Sequence, residues 1–344
     1  MRGTSTRDGV TCPTFREAST CDTQVVALFA EHTMSDAPFT PNEPILLACN
    51  GTRESDAAIH AAADMAAATK RPVTVLAVLE PPPLVVGEYG FVIPVQPAWV
   101  EYRDALLTSV RTQIRDVLGR TPEWPIEIRI GDPPTAIAEA AESCGAALIV
   151  MGLGKHRIVD RALSSETVLH TLRVARTPVF AVPQSYSSLP TSAIVGVDFS
   201  TTAVAAVRLA LDLFPTISRL ILVHVAPRWD HAPLTSAWID EYTRSVVPCL
   251  ERIVRELQVP RTVDVTNVVR EGKAARELLL VAEEYAADAI VVGSRGLGLF
   301  DRMLVGSTAS GIIRGAQVAA FALPLAAPAA QVESAVAAES TWSA

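Results

Sequence analysis

The stretch from Gly293 to Thr308, GSRGLGLFDRMLVGST, decides how the fold of this chain is interpreted. It follows the apolar run Ala289–Val292, which predicts a buried strand, and it leads into a segment at 308–314 that predicts a helix. Glycines after a strand let the backbone turn tightly and approach a ligand. A helix N-terminus offers free amides and the positive end of its dipole to an anion. The stretch therefore predicts a cradle for phosphate groups.

The glycine spacing argues against two common phosphate-binding loops. No glycine is followed by Lys-Ser or Lys-Thr at the spacing of a P-loop. Asp301 stands where a dinucleotide-binding fingerprint needs its third glycine. The observed pattern is G-x2-G-x9-G-[ST], formed by Gly293, Gly296, Gly306 and Ser307. The alternative interpretation is a glycine-rich loop that only connects a strand to a helix.

Length and composition limit the class of protein. A chain of 344 residues favours two domains, and 49% hydrophobic with 19% charged residues is typical of globular proteins. The net charge of -8 argues against a general nucleic-acid surface. The longest apolar runs have the length of strands, which is too short to span a membrane. The five cysteines follow no metal-binding or disulfide pattern, so we expect a cytoplasmic location.

Both ends of the chain are expected to lack regular structure. Residues 1–42 are mostly polar and irregular, and no continuous apolar segment follows Arg2 and Arg7 as it would in a secretory signal. Met34 opens a sequence that would serve as a native start, so residues 1–33 are an expected start-site artefact. The Ala-rich tail at 326–344 is also predicted to be disordered.

The rest of the chain is a tandem repeat. Gly152 corresponds to Gly293, 141 positions further on, and the alignment then continues without a gap to Pro183 and Pro324. Ile45 corresponds to a residue 148 positions further on, so the first copy carries seven extra residues, some of them expected in the Pro-rich stretch 81–97. Internal repeats of this size predict two copies of one domain, half one at 43–184 and half two at 191–325.

Each half alternates strands and helices. In half two we predict strands at 193–198, 220–226, 262–269, 289–292 and 319–323, and helices at 202–214, 236–257, 274–285 and 308–314. Apolar strands alternating with amphipathic helices predict a parallel sheet with helices on both faces. A ligand should then lie at the C-terminal strand ends, where Asp198, Val225 and Gly293 are expected to converge.

The glycine spacing and the tandem repeat resemble the universal stress protein family, over both halves. The resemblance implies two tandem flavodoxin-like, adenine nucleotide alpha-hydrolase-like α/β domains that bind ATP, or AMP or ADP, and act in stress responses, with Mg²⁺ as an accompanying ion. It implies roles for ten residues of half two. Asp198 would contact the adenosine moiety, and the backbone of Val225 would contact the adenine edge. Gly293 and Gly296 would hold the ribose and the first phosphates, and Arg295 would pair with a phosphate. The outer phosphates would be bound by Gly306, Ser307 and Thr308, and the site would be completed by Gly196 and Gly298.

Three of these residue types have ordinary structural roles as well. Asp198 could cap the helix that follows it, as Asp commonly does. Arg295 could be a solvated loop residue. His224, which precedes Val225 in an apolar strand, is interpreted as a hydrogen-bonded core histidine rather than a catalytic one.

Half one departs from the pattern where phosphates would bind. Asn50 replaces Asp198, Lys155 replaces Gly296, and Ser165 and Glu166 replace Gly306 and Ser307. We expect Glu166 to stand at a helix start, where its carboxylate would repel phosphate and cap the helix amides. Half one is therefore predicted to bind ATP poorly or not at all.

The last strand of each half predicts how the halves meet. Universal stress proteins pair subunits through this strand. We expect Val179–Val182 to pair with Ala320–Leu323 in a pseudo-dimer within one chain, because an unpaired apolar edge would promote aggregation. A further homodimer remains open.

The favoured interpretation is a nucleotide sensor whose protein partner is unknown. One rival is an ATP-using enzyme of the same broad fold, but the S-G-G-x-D-S type of loop after the first strand is absent. The other rival is an interaction module without nucleotide. No Ser-His-Asp or Cys-His set and no paired carboxylates are evident, so at most slow ATP hydrolysis or autophosphorylation is expected.

Overall fold

The computed structural model describes residues 43–81, 85–86, 92–93, 99–153, 158–226, 236–293 and 305–324. The segments predicted to be disordered, 1–42 and 326–344, lie outside these ranges. So do three of the predicted site residues, Arg295, Gly296 and Gly298.

The described chain folds as two α/β halves, as predicted. Half one consists of β1 (Ile45–Ala48), a 3-10 turn (Arg53–Ser55), α1 (Asp56–Thr69), β2 (Val73–Leu79), β3 (Val85–Val86), β4 (Val92–Ile93), α2 (Trp99–Leu118), β5 (Ile126–Ile130), α3 (Pro133–Cys144), β6 (Leu148–Leu153), α4 (Ile158–Val174) and β7 (Val179–Pro183). Half two consists of β8 (Ser192–Gly196), α5 (Thr201–Leu213), β9 (Arg219–Ala226), α6 (Ser236–Glu256), β10 (Asp264–Glu271), α7 (Ala274–Glu284), β11 (Ala289–Gly293), α8 (Ser307–Gly315) and β12 (Ala319–Leu323).

One ten-stranded sheet runs through both halves in the order β10-β9-β8-β11-β12-β7-β6-β1-β2-β5. All neighbouring strands in this sheet are parallel except β12 and β7, which are antiparallel. Helices cover both faces, and the buried side chains form one core on each face. The strands are therefore nearly continuous apolar runs, as expected for a parallel sheet buried on both sides.

Local sequence explains where the helices begin and end. Asp132 precedes α3 and accepts hydrogen bonds from the backbone N–H (3.3 Å) and hydroxyl (2.8 Å) of Thr135. Pro133 occupies the first helical position, where its missing N–H costs nothing. Gly145 ends the helix in the left-handed conformation, with φ of 61°.

The halves join through their last strands, which confirms the predicted pairing. Phe321 of β12 lies opposite Phe180 of β7, and these two residues correspond in the repeat alignment, so a local two-fold axis passes between them. Phe214, at the end of α5, packs against Phe180 with ring centroids 4.8 Å apart and against Phe321 at 5.7 Å. All three rings are fully buried, so the two halves share one core.

The linker between the halves is held to both of them. The Tyr186 hydroxyl donates a 3.0 Å hydrogen bond to Asp64 of α1 in half one. Burial, with the nearby Asp64 carboxylate, raises the pKa of Tyr186. On the other side, Asp288 accepts hydrogen bonds of 3.0 Å from the backbone N–H groups of Thr191 and Ser192.

The extra residues of half one lie where the Pro-rich stretch predicted them. Residues 80–98 connect β2 to α2, whereas the shorter segment 227–235 connects β9 to α6 in half two. In half one this connection contains the small antiparallel pair β3 and β4.

Candidate functional site

Three strands of half two end at the same edge of the sheet. β8 lies between β9 and β11, and Gly196 at the end of β8 is level with Val223 of β9. Continuing this register places Asp198 beside Val225, while Gly293 ends β11 on the other side of β8. Predicted site residues from three separate segments therefore lie at the point where the strand order reverses, because β9 and β10 lie on one side of β8 and β11 and β12 on the other.

Asp198 forms a tight turn that starts α5. Its Oδ1 accepts hydrogen bonds from the Ser200 backbone N–H (3.0 Å) and hydroxyl (2.6 Å). Ser200 in turn caps α5 by accepting a 3.1 Å hydrogen bond from the N–H of Ala203. Asp198 therefore supports the cap of α5 indirectly, by holding Ser200 in place, so the structural role considered for Asp198 applies in part. The other oxygen, Oδ2, makes no hydrogen bond to any residue in the described ranges.

The turn rests on a residue that the sequence reasoning missed. Phe199 adopts the left-handed conformation, with φ of 60°, which costs a non-glycine residue about 1 kcal/mol or more. Its ring is buried and packs on His224 with centroids 4.9 Å apart, which offsets that cost. The repeat carried a usable signal for this conformation, because half one has a glycine, Gly51, at the corresponding position. Gly51 also has a positive φ, of 75°.

His224 is a core histidine with both ring nitrogens hydrogen-bonded. Nδ1 lies 2.7 Å from the carbonyl oxygen of Val197, so Nδ1 carries the proton and donates. Nε2 lies 2.9 Å from the Tyr242 hydroxyl, which donates to it. Burial lowers the pKa of His224 and keeps the ring neutral near pH 7. The ring is therefore engaged and does not serve as a general base.

The first turn of α8 is the fourth segment expected to border the proposed site. Gly306 precedes the helix in an extended conformation, with φ of -56° and ψ of 149°, and as a glycine it has no side chain with which to cap the helix amides. Ser307 is exposed, and Gly306 and Thr308 are half-buried. A helix start of this kind leaves its first N–H groups available to an anion.

Gly196 lies close to the side chain of Leu278 in α7. A Cβ atom at this position would lie 2.9 Å from Cδ1 of Leu278, so the end of the leucine side chain would have to shift to accommodate it. Half one has Ala48 at the corresponding position and Ile137 in place of Leu278. The two halves thus solve the same helix-on-sheet contact with different residue pairs.

Half one has a cleft at the equivalent edge, which we call the half-one cleft. It lies at the C-terminal ends of β1, β2 and β6 and has a volume of about 170 Å³. The apolar side chains that line it are Leu76, Val78, Ile137 and Met151. In half two the matching edge is bordered by 227–235 and 294–304, which lie outside the described residues.

The polar rim of the half-one cleft begins with the same turn as in half two. Asn50 Oδ1 accepts hydrogen bonds from the Thr52 N–H (3.1 Å), the Thr52 hydroxyl (2.8 Å) and the Ser55 hydroxyl (2.9 Å). Asparagine therefore supports this turn as well as aspartate does, but without the negative charge. Glu54 and Glu80 complete the rim.

Packing holds this rim in place. A Cβ atom at Gly152 would overlap the carbonyl oxygen of Glu54, so only glycine lets the 3-10 turn lie against the end of β6. Gln113 of α2 donates hydrogen bonds to the Thr52 carbonyl and, at 2.7 Å, to Asp56 Oδ1. Gly152 and Gln113 thus fix the 3-10 turn that forms one wall of the half-one cleft. Residues 82–84 and 154–157, which follow β2 and β6 at the same edge, lie outside the described ranges.

The expectation for Glu166 was wrong. Glu166 lies inside α4, which begins at Ile158, and not at a helix start. The reason is that Ser165 continues the helix where Gly306 interrupts it in half two. The Glu166 carboxylate accepts hydrogen bonds from Nη2 (2.6 Å) and Nε (3.2 Å) of Arg314 in α8, which lowers the pKa of Glu166. It links the two halves instead of capping helix amides.

The described residues contain neither a membrane-spanning helix nor a cluster of metal-ligating side chains. No helix there has the length and apolar character needed to cross a membrane. Within the same ranges, no three His, Cys, Asp or Glu side chains are grouped as metal ligands would be.

Comparison with known proteins agrees with this architecture. A universal stress protein from Mycolicibacterium smegmatis is 26% identical over 283 residues, covering 79% of this chain and 94% of that protein. The crystal structure of a universal stress protein from Archaeoglobus fulgidus matches with a TM-score of 0.55 and 20% identity, covering 82% of this chain and 96% of its own. A functionally unknown protein from Pseudomonas aeruginosa matches with a TM-score of 0.56 and 12% identity, covering 86% and 98%.

The sequence profile of one family matches the chain twice. This is the universal stress protein family, and its profile matches residues 41–183 and 191–323. The two matches together cover well over half of the chain and coincide with the two halves of the ten-stranded sheet. The chain belongs to the universal stress protein family, as a tandem member.

Proposed function

We propose that half two binds an adenine nucleotide, ATP in the first place and ADP or AMP as alternatives, and that the protein acts as a nucleotide sensor in a stress response. The observation that carries this proposal is the convergence at one sheet edge of Asp198, Val225, Gly293 and the uncapped start of α8. A nucleotide needs a polar contact for its sugar or base and an anion-binding helix start for its phosphates, and Asp198 and the first turn of α8 are proposed for these two roles.

The residues fit the parts of a nucleotide in a definite order. The Oδ2 atom of Asp198 is available for a ribose or adenine donor, because Oδ1 is occupied by Ser200. The Val225 backbone lies on the neighbouring strand, where it can face the adenine edge. The amides of Ser307 and Thr308 would hold the outer phosphates, with Mg²⁺ shared between phosphate oxygens. In the proposed site Gly196, Arg295, Gly296 and Gly298 complete the set.

Half one is proposed not to bind nucleotide. Its helix α4 has no break at the position of Gly306, so half one lacks the helix start that half two presents there. Glu54 and Glu80 line the half-one cleft, and their carboxylates disfavour phosphate. The earlier reason, a repelling Glu166 at the phosphate end, no longer applies, but the conclusion is supported by these other residues.

The proposed mode is sensing rather than turnover. Bound phosphates would order the segment between β11 and α8, and a partner protein would recognise the changed surface. His224 is not a free base, since both of its ring nitrogens are hydrogen-bonded. We propose a cytoplasmic location, which is supported by the free thiols of Cys49, Cys144 and Cys249.

Titration calorimetry of ATP with Mg²⁺ into the full-length protein tests the proposal. We expect one site per chain, which Gly306→Glu abolishes because a carboxylate would then face the phosphates. The backbone conformation of Gly306 is open to any residue, so this variant should fold normally. Absence of binding by the wild type would refute the proposal, and two sites would refute the assignment to half two alone.

Asp198→Asn separates ligand binding from helix capping. Asn50 shows that asparagine maintains the same turn, so the variant should keep its melting temperature. Loss of a charge-assisted hydrogen bond should weaken ATP binding by about tenfold. Asn50→Asp, the matched change in half one, should leave ATP affinity unchanged. Unaltered affinity in Asp198→Asn would assign Asp198 to capping alone.

A further inference from the structure

The half-one cleft is a formed cavity to which the proposed nucleotide function assigns no role. Its volume of about 170 Å³ would hold roughly five or six water molecules at about 30 Å³ each. It lies at the carboxyl ends of parallel strands, the usual location of ligands in this class of sheet. Gly152 and Gln113 hold the 3-10 turn that forms one of its walls.

The charges around this cleft differ from those of half two. Glu54 stands where half two has Thr202. The strand registers align Val73 of β2 with Leu220 of β9, so Glu80 stands where half two has Pro227. Neither carboxylate forms a salt bridge or hydrogen bond with another residue in the described part of the chain. Asn50 also contributes to the rim, and its Oδ1 accepts hydrogen bonds from Thr52 and Ser55.

The interior of the cleft is apolar. Leu76, Val78, Ile137 and Met151 line it, and all but the half-buried Val78 are almost completely buried. A ligand therefore needs a short hydrocarbon or ring body for these side chains and a positive group for the carboxylates. Two unpaired carboxylates beside an apolar cavity exclude phosphates and favour an ammonium or guanidinium group.

The geometry points to a second ligand site in half one, in which the cleft binds a small organic cation with its apolar body against Leu76, Ile137 and Met151 and its charged group at Glu54 and Glu80. This site is separate from the proposed nucleotide site of half two and does not depend on it. The tandem chain would then carry two different binding sites, one for an anionic and one for a cationic ligand.

Three probes of nearly equal shape and different charge test this inference. 2-Phenylethylamine is a cation at pH 7, 2-phenylethanol is neutral and phenylacetate is an anion. Ligand-observed NMR and calorimetry with the full-length protein should show saturable binding of the amine, about tenfold weaker binding of the alcohol and no binding of the acid. Binding of the amine should also weaken as salt is raised from 0.05 to about 0.5 M.

Paired variants locate the site. Glu54→Gln and Glu80→Gln should each weaken the amine by about tenfold while ATP binding stays unchanged. Two control variants should leave amine binding unaltered. One is Glu123→Gln, because Glu123 is exposed and precedes β5, at the N-terminal ends of the strands and away from the cleft. The other is Asp198→Asn in half two.

Several results would overturn the inference without touching the nucleotide proposal. These are equal affinity for the amine and the acid, no binding of any probe, and amine binding that survives both glutamate changes. The probe series uses the wild-type protein, so it remains decisive even if a variant folds poorly.

Discussion

Replacing Phe214 by alanine should destabilise both halves at once. The side chain is 1% exposed and touches Phe180 of half one and Phe321 of half two. Removing a buried phenylalanine side chain costs about 3–5 kcal/mol of unfolding free energy, and each aromatic pair adds about 0.5–1.5 kcal/mol beyond burial. Because both ring pairs are lost, we expect a decrease of about 4–5 kcal/mol, at the upper end of that range.

Urea unfolding followed by circular dichroism measures this decrease. One cooperative transition is expected for the wild type, since the halves share a sheet and a core, and the midpoint should fall in Phe214→Ala while the slope stays constant. Phe214→Leu keeps most of the volume but loses the ring pairs, so it should cost about 1–2 kcal/mol. Val100→Ala is the control, because Val100 is 72% exposed and should change stability by less than about 0.5 kcal/mol.

Two outcomes would refute this reasoning. A loss below about 1 kcal/mol in Phe214→Ala would mean that the three rings do not form a shared core. Two separate transitions in the wild type would mean that the halves unfold independently, and the antiparallel pairing of β12 with β7 would then contribute little to their coupling.

Three further predictions concern polar contacts. Tyr186→Phe removes the hydrogen bond to Asp64 and should cost about 1–2 kcal/mol in urea unfolding, and no loss would mean that the linker contact is not formed in solution. The pKa of His224 is lower in the folded than in the unfolded protein, so the unfolded state takes up a proton at a higher pH. The stabilising contribution of neutral His224 is therefore complete above about pH 6.5 and is lost as the pH falls through the lower folded pKa. His224→Gln should therefore show a flatter decline in stability below pH 6.5 than the wild type, and parallel declines would contradict this. Glu166 and Arg314 are 36% and 53% exposed, so a double-mutant cycle with Glu166→Gln and Arg314→Gln should give a coupling energy below about 1 kcal/mol, whereas a larger value would indicate a stronger link between the halves.

Much of the secondary structure could be predicted because each element has its own local signal. The helix expected at 236–257 is found at Ser236–Glu256, and the strand expected at 319–323 is found at Ala319–Leu323. The strand expected at 262–269 lies two residues later, at Asp264–Glu271, because an edge strand with mixed side chains has weak boundaries.

The candidate site was predicted unevenly. Asp198 and Val225 could be placed at strand ends from apolar periodicity alone, and the register of β8 with β9, continued by two residues, sets them on neighbouring strands. Phe199 was missed, since its left-handed conformation is unusual for a large residue and is accompanied by packing on the His224 ring. The half-one cleft was also missed, because its walls come from segments far apart in the chain.

The tandem repeat, the succession of strands and helices and the pairing of the two apolar edges could all be predicted, since they follow from local periodicity and from the need to bury hydrophobic strands. The role of Glu166 became clear from the folded chain alone. Alignment placed it over Ser307, but the helix around it extends to Ile158 and turns its carboxylate toward Arg314 of the other half. Where a helix begins depends on capping and packing across the whole domain, and those contacts are not visible in the spacing of residues along one segment.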